Sequence, residues 1–303
     1  MKKILITDGM DKNAVQTLKN KGFNVEEKFY DEDNLKEKIK EVDAVVVRSA
    51  TKIKKDIIDE ALKTGRLKMI IRGGVGLDNI DVDYATGNNI VVKNTPLAST
   101  NAVAELVLCE MLVLSRHVKI ANLKLKNGIW DKKNLKGNEI AGKVLGLVGF
   151  GRIANSIADK AVKLGMKVLY TDIDKFKEDT DDIKYAELEE VIKNADFVTV
   201  HTPLTDKTKY MFDKKQFEMM KDTAFFINCA RGGIANEQAL LDAINEGQIA
   251  GAAIDCFEDE PAPMKELLDH PKVSVTPHIG ASTEEAQMRI GDEITDIITD
   301  YFL

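Results

Sequence analysis

The sequence is short of everything that builds an extracellular or metal-stapled scaffold. Its three cysteines, Cys109, Cys229 and Cys256, are an odd number at wide spacings, which suits neither a disulfide framework nor a zinc site. They are expected to be reduced and structural, and no metal is expected. No stretch reaches the roughly 18 to 20 apolar residues of a membrane span. The N-terminal run Met1-Lys2-Lys3-Ile4-Leu5-Ile6-Thr7-Asp8 meets an acid too early for a secretion signal, so the chain reads as cytoplasmic. A basic surplus is also missing: 43 Lys and Arg face 50 Asp and Glu, a formal charge of -7, which argues against DNA or RNA as a partner. Repeats of solenoid period and low-complexity segments are absent. Histidine occurs only four times, which narrows the search for a proton carrier.

What remains is ordinary globular composition, 44% hydrophobic and 31% charged, over 303 residues, a length that suits about two domains. Short β-branched runs alternate with polar, helix-period segments from the first residue onward, the pattern of βα units around a mainly parallel sheet. Strands are predicted at 3–7, 24–27, 44–48, 69–72 and 90–93, making one small α/β domain. A second series begins at Val144 and continues through 168–172, 197–201, 224–228, 251–255 and 274–276, a doubly wound sheet. Between the two series, 99–117 has a polar start and no Gly or Pro, which predicts one long helix buried between domains or against a second subunit. The segment 119–135, with the single tryptophan Trp130, is expected to extend that contact. A final helix is predicted over 283–302; periodicity does not say which domain it joins.

The stretch VLGLVGFGRIANSIA places Gly149-Phe150-Gly151-Arg152-Ile153-Ala154 at the end of an apolar strand and the opening of a helix. Gly149 permits the tight turn, Gly151 lets backbone approach a pyrophosphate, and the helix N-terminus offers unpaired N–H groups to that anion. Ala154 stands at the third glycine position. Such a turn alone also occurs without a ligand, but the next strand ends in Asp172, 23 residues after Gly149, where a carboxylate accepts from ribose hydroxyls. The combination points to a dinucleotide. Asp172 would repel a 2′-phosphate and no arginine follows it, so NAD is preferred to NADP.

Three later strand ends carry reactive side chains. Asn228-Cys229-Ala230-Arg231-Gly232-Gly233 delivers an arginine able to clamp a carboxylate, 255–261 delivers a cluster of acids including Glu260, and 276–282 delivers His278. Singly, each has a plainer reading: a loop charge, a solvated acid, a packing histidine. Together they are what oxidation of a hydroxy acid requires, a proton acceptor and a cation beside a cofactor. His117 and His270 read as structural, and His201 as a support of the cofactor pocket.

At these residues the sequence resembles the D-isomer-specific 2-hydroxyacid dehydrogenase family, over nearly the whole chain, through LGLVGFGRIA, NCARGGI, DCFEDEP and PHIGAST. The resemblance implies a Rossmann nucleotide-binding domain at 98–278 and a smaller flavodoxin-like α/β substrate domain, discontinuous over 1–97 and 279–303. It implies that His278 exchanges the proton, Glu260 hydrogen-bonds the imidazole and raises its pKa, and Arg231 binds the substrate carboxylate or carbonyl. Arg152, Ile153, Asp172, Thr202, Cys229, Ala230, Asp255 and Gly280 would line the NAD site with Gly149 and Gly151, Asp255 lying near the nicotinamide amide. In the first domain, Val75 and Gly76 would offer N–H groups to the substrate carboxylate, and Arg48 and Arg72 would take a substrate phosphate. Asn101, which would also bind the substrate, and Glu105 match the family pattern.

Within the family the chain is similar to the short form of the 3-phosphoglycerate dehydrogenases. That implies NAD-dependent oxidation of 3-phospho-D-glycerate to 3-phosphohydroxypyruvate, the entry to serine biosynthesis, in a cleft closing between domains of a homodimer. The serine-sensing domain of the longer forms is expected to be missing, and its feedback control with it. Hydroxypyruvate or glyoxylate reductase and D-lactate dehydrogenase are the rival activities. An NAD-sensing binding protein is the rival of another class.

Overall fold

Strands 44–47, 197–200, 225–228 and 251–254 are buried at every position. A strand buried on both faces needs helices on either side of a parallel sheet. The structure, a computed structural model describing residues 1–175 and 179–303, has two such sheets. They belong to two compact units, one formed by Met1–Thr100 with Ala281–Leu303 and the other by Asn101–Gly280.

In the first unit β1 (Lys3–Ile6), β2 (Asn24–Glu27), β3 (Ala44–Val47), β4 (Met69–Arg72) and β5 (Val91–Asn94) are all parallel, in the order β2-β1-β3-β4-β5. That order is flavodoxin-like. Strict alternation sends Leu5, Val45, Val47 and Ile70 to one core, and Ile4, Ile6, Val46 and Ile71 to the other. The second of these cores takes in the helix Glu284–Phe302 through Ile290, Ile294 and Ile298, one residue per helical turn on a single face. The last helix of the chain is therefore part of the first unit.

The second unit contains β6 (Val144–Val148), β7 (Lys167–Thr171), β8 (Ile183–Tyr185), β9 (Phe197–Val200), β10 (Phe225–Asn228), β11 (Gly251–Ile254) and β12 (Val273–Val275). Their order is β12-β11-β10-β9-β6-β7-β8, all parallel. The chain leaves β6 in one direction and resumes at β9 in the other, so β6 and β9 flank the switch point where open α/β sheets bind ligands. Alternation again divides the sheet, Phe225 and Ile227 facing one core and Phe226 the other.

Two expectations need correction. Strand β8 was not anticipated, because it follows the polar run Thr180-Asp181-Asp182 and has Lys184 at its centre. The predicted long helix runs only over Thr100–Ser115; His117 adopts a left-handed φ of 54° and a second helix, Val118–Lys126, begins. One face of the first helix is taken up within its own unit, while Leu112 on the same helix is 45% exposed. Its Val103, Ala104, Val107 and Met111 pack with Leu145, Leu147, Ala154 and Ile157 in the second unit's own core. The following segment is exposed as well, at Leu123, Leu125 and Ile129 and most of all at Trp130, 80% exposed.

Candidate active site

At the switch point Gly149 turns the chain with φ 88° and donates its N–H to the Thr171 carbonyl at 2.9 Å. A Cβ there would lie 2.9 Å from the His201 carbonyl oxygen and 3.0 Å from the Thr202 methyl, so only glycine fits between the β6 and β9 loops. Gly151 faces open space, with nothing within 4 Å of a built Cβ, and the helix Arg152–Lys163 starts from it without a side-chain cap. Uncapped N–H groups at a helix start, in front of open space, suit a pyrophosphate. Beside them Asp172 accepts from the N–H of Phe150 and of Ile173, both at 2.6 Å, leaving lone pairs on each oxygen for ribose hydroxyls. These residues fit a dinucleotide.

Two neighbours of that pocket are uncharged for physical reasons. Burial pushes the His201 imidazole down to about 3, and its Nε2 is 3.0 Å from the Thr199 hydroxyl, so the ring serves as a neutral prop. Burial, with Asp255 nearby, pushes the Cys229 thiol well above its ordinary range. Cys229 can offer backbone here, not a thiolate. Thr202, Ile153 and Ala230 are part-exposed around the same loops, and Arg152 is exposed at the helix start.

The three reactive turns emerge side by side, because β10, β11 and β12 are neighbours in the sheet. Asn228, buried at the end of β10, ties the arginine turn from both sides: its amide nitrogen donates to the Arg231 carbonyl at 2.8 Å and its oxygen accepts from the Ala230 N–H at 3.0 Å. The acid turn is anchored by a reciprocal pair, Glu258 N–H to the Glu237 carboxylate at 2.7 Å and Glu237 N–H to the Glu258 carboxylate at 2.9 Å. Glu258 is thereby committed to structure. Glu260 accepts from the Phe257 N–H at 3.0 Å and meets His278 Nδ1 at 3.1 and 2.8 Å through its two oxygens.

Burial raises the Glu260 pKa, but the His278 hydrogen bond, the Phe257 N–H and the charges of His278 and Arg231 outweigh it and hold the carboxyl below its usual range. Glu260 is thus an anion at neutral pH. With Nδ1 occupied by it, the His278 nitrogen left for a reacting group is Nε2.

Asp255 has a task its position in the sequence does not reveal. Only 1% exposed, it accepts from the Thr276 hydroxyl at 2.6 Å, the Ile279 N–H at 2.8 Å and the Gly280 N–H at 2.9 Å. It holds the turn that carries His278 in its left-handed conformation, φ 53°. Asn228 and Asp255 were the residues sequence reasoning undervalued. The signal available was a polar side chain closing a wholly apolar strand.

In the first unit Val47 and Arg72 are register partners on β3 and β4, so Arg48 and Arg72 stand at adjacent strand ends. The Arg48 loop is stapled by Asp8, which accepts from the N–H of Arg48 at 2.6 Å and of Thr51 at 3.0 Å, and by Asn79, whose amide donates to the carbonyls of Arg48 and Thr51 at 2.7 Å. Neither Asp8 nor Asn79 was singled out from sequence. Val75 is exposed and Gly76 part-exposed on the loop after β4. Asn101, on the second unit, donates to Glu105 at 2.6 Å and accepts from Lys160 at 2.7 Å.

Comparison with known proteins agrees with this geometry. The NAD binding domain of the D-isomer specific 2-hydroxyacid dehydrogenases matches residues 108–280. A hydroxypyruvate reductase of Thermotoga maritima is 44% identical, covering 98% of this chain and 97% of its own length. A D-3-phosphoglycerate dehydrogenase of Methanocaldococcus jannaschii is 42% identical over 98% of this chain but only 57% of its own. The chain therefore spans little more than half of that relative. Among solved structures, the D-lactate dehydrogenase of Aquifex aeolicus complexed with NAD and lactic acid superimposes with a TM-score of 0.86 at 26% identity, over 98% of this chain and 95% of the other. The chain belongs to the D-isomer specific 2-hydroxyacid dehydrogenase family and is an NAD-dependent oxidoreductase.

Proposed function

We propose that the chain oxidises 3-phospho-D-glycerate to 3-phosphohydroxypyruvate, with Arg231, Glu260 and His278 as its catalytic residues. NAD supplies the acceptor for the hydride. His278 Nε2 takes the hydroxyl proton, Glu260 stabilises the resulting imidazolium through Nδ1, and Arg231 holds the carboxylate and polarises the carbonyl oxygen. Gly149, Gly151, Arg152, Ile153, Asp172, Thr202, Cys229, Ala230, Asp255 and Gly280 form the cofactor site. In the reverse direction the same imidazolium returns its proton to the keto oxygen.

The observation that carries the phosphorylated substrate is the pair of arginines on adjacent strand ends. Burial lowers the Arg48 pKa against the opposing charge of Asp8, so this guanidinium is short of solvent, and a phosphate would replace the water it lacks. Val75 and Gly76 are assigned to the substrate carboxylate. A second reading, reduction of hydroxypyruvate, is favoured by the full-length match to the Thermotoga reductase. Following NADH absorbance with phosphohydroxypyruvate, hydroxypyruvate, glyoxylate, pyruvate and oxaloacetate in parallel separates the two. Arg48→Gln and Arg72→Gln should each raise KM for phosphohydroxypyruvate about tenfold or more and leave that for hydroxypyruvate nearly unchanged, since a charge-assisted contact is worth roughly 1.5–3 kcal/mol. A wild-type preference for unphosphorylated acids overturns the first reading in favour of the second.

We also infer a cytoplasmic homodimer. Leu123, Leu125, Ile129 and Trp130 are all exposed between residues 123 and 130, and exposed large apolar side chains gathered in one segment support a protein interface there. Light scattering that gives one chain per particle at micromolar concentration contradicts the dimer.

A further inference from the structure

The histidine and its carboxylate have a third neighbour for which the proton relay has no use. Cys256, one residue past the buried Asp255, is 2% exposed, and its Sγ, a Glu260 oxygen and a His278 ring nitrogen all lie within 4.8 Å of one another. Among the described residues this is the one group of three potential metal ligands so arranged. Its plain explanation is a small packing thiol beneath a relay. Three observations go further.

The donors are of the right kind. Thiolate, imidazole and carboxylate are the ligands zinc accepts, at about 2.0–2.3 Å from the ion, which sets ligands of one tetrahedral ion roughly 3.3–3.8 Å apart. Side-chain shifts of about an ångström bring atoms that lie within 4.8 Å of one another to that spacing, His278 Nδ1 and the Glu260 oxygen 2.8 Å from it parting a little. Calcium and magnesium, which take oxygen ligands, have no claim on a thiolate. The topography is also suitable: Cys256 lies inside, whereas the side chains of Glu260 and His278 remain 34% and 29% exposed. Three protein ligands would approach from one side, and the fourth position would be left open, as in zinc sites that bind exchangeable ligands. Finally, the cluster is supported without metal. Asp255 holds the histidine turn, and the Phe257 N–H holds Glu260.

We propose that Cys256, Glu260 and His278 form an inhibitory zinc site. One Zn²⁺ binds as the Cys256 thiol releases its proton to solvent and the sulfur–zinc bond forms, with no change of oxidation state. The imidazole lone pair and the carboxylate are then committed to the ion, and His278 can no longer exchange a proton with substrate. Binding itself does not depend on the proposed function; inhibition rests on the assignment of His278 as the proton carrier.

The test uses the full chain with Cys109→Ser, which removes the exposed thiol from the readout. Cobalt(II) titrated into the metal-free protein should produce a thiolate-to-cobalt charge-transfer band that saturates at one ion per chain and is abolished by zinc. Micromolar Zn²⁺ should suppress NADH oxidation, and EDTA should restore it. Adding Cys256→Ser should leave uninhibited turnover in place, eliminate the band and weaken zinc inhibition by about tenfold or more, the usual scale for loss of a group supporting a metal. A missing band at saturating cobalt, or unchanged zinc sensitivity in the Cys256→Ser protein, overturns the proposal. If no 2-keto acid is turned over, the band still decides whether the ion binds.

Discussion

A Cβ on Gly232 would lie 1.8 Å from the carbonyl oxygen of Phe257 and 2.7 Å from the Glu258 nitrogen. The arginine turn and the acid turn therefore meet backbone to backbone, and this contact holds Arg231 close enough for its charge to act on Glu260. Gly232→Ala cannot be absorbed by rotating a side chain, because the obstructing atoms belong to a peptide unit. It should lower stability by about 1–3 kcal/mol, the usual range for overpacking, and reduce kcat more than it raises KM for NADH. A variant with wild-type kcat and melting temperature would show that the turns are not pressed together.

His278→Ala should lower kcat by about 10²–10⁴, the range for loss of a general acid–base, with NADH binding by fluorescence unchanged. Glu260→Gln keeps a partner at Nδ1 but removes the charge that stabilises an imidazolium. It should lower kcat while leaving NADH binding unchanged. An unchanged kcat would dissociate the carboxylate from the proton carrier.

Asp255→Asn preserves shape but leaves one carbonyl oxygen where two oxygens accepted from Thr276, Ile279 and Gly280. An unsatisfied buried donor costs about 1–3 kcal/mol, so the melting temperature should fall. Because the residue acts through the turn, kcat should fall while the pH dependence set by His278 and Glu260 keeps its shape. A displaced profile would give Asp255 a direct part in proton transfer.

His201 predicts a stability effect with a definite sign. Its folded pKa, about 3, lies below the ordinary 6.5, so the unfolded chain binds the proton more readily. Its contribution is fully present above pH 6.5 and is lost progressively as pH falls towards 3. His201→Asn should therefore lose less stability than wild type over that window in melting curves recorded against pH. An imidazole resonance titrating near 6.5 in the folded protein would contradict the assignment.

Much of this organisation is legible in the sequence. Continuous apolar runs as short as 44–47 locate the buried strands, because a strand covered on both faces is apolar at successive positions. The Gly149 turn and the acid at Asp172 are equally local, since each is demanded by a neighbouring backbone. Strand β8 and the break at His117 were not legible. The first follows a polar run and has Lys184 at its centre, and the second occurs in an otherwise unbroken apolar helix, through a dihedral angle that residue type does not announce. Asp8 and Asn79 escaped notice for a related reason: both clamp a loop more than 25 residues away in the chain, through hydrogen bonds that leave no periodic trace.

The sequence by itself determined the two βα series, the glycine turn for a dinucleotide and the identity of an arginine, a glutamate and a histidine at three strand ends, since each is a matter of short-range pattern. The tertiary structure alone decided that Asn228 and Asp255 hold those ends in place, and that Cys256 shares a cluster with Glu260 and His278. Parallel pairing of β10, β11 and β12 is what brings residues 228, 255 and 278 together. That register arises from burial of whole strands on both faces, a property of the folded sheet that no single segment carries.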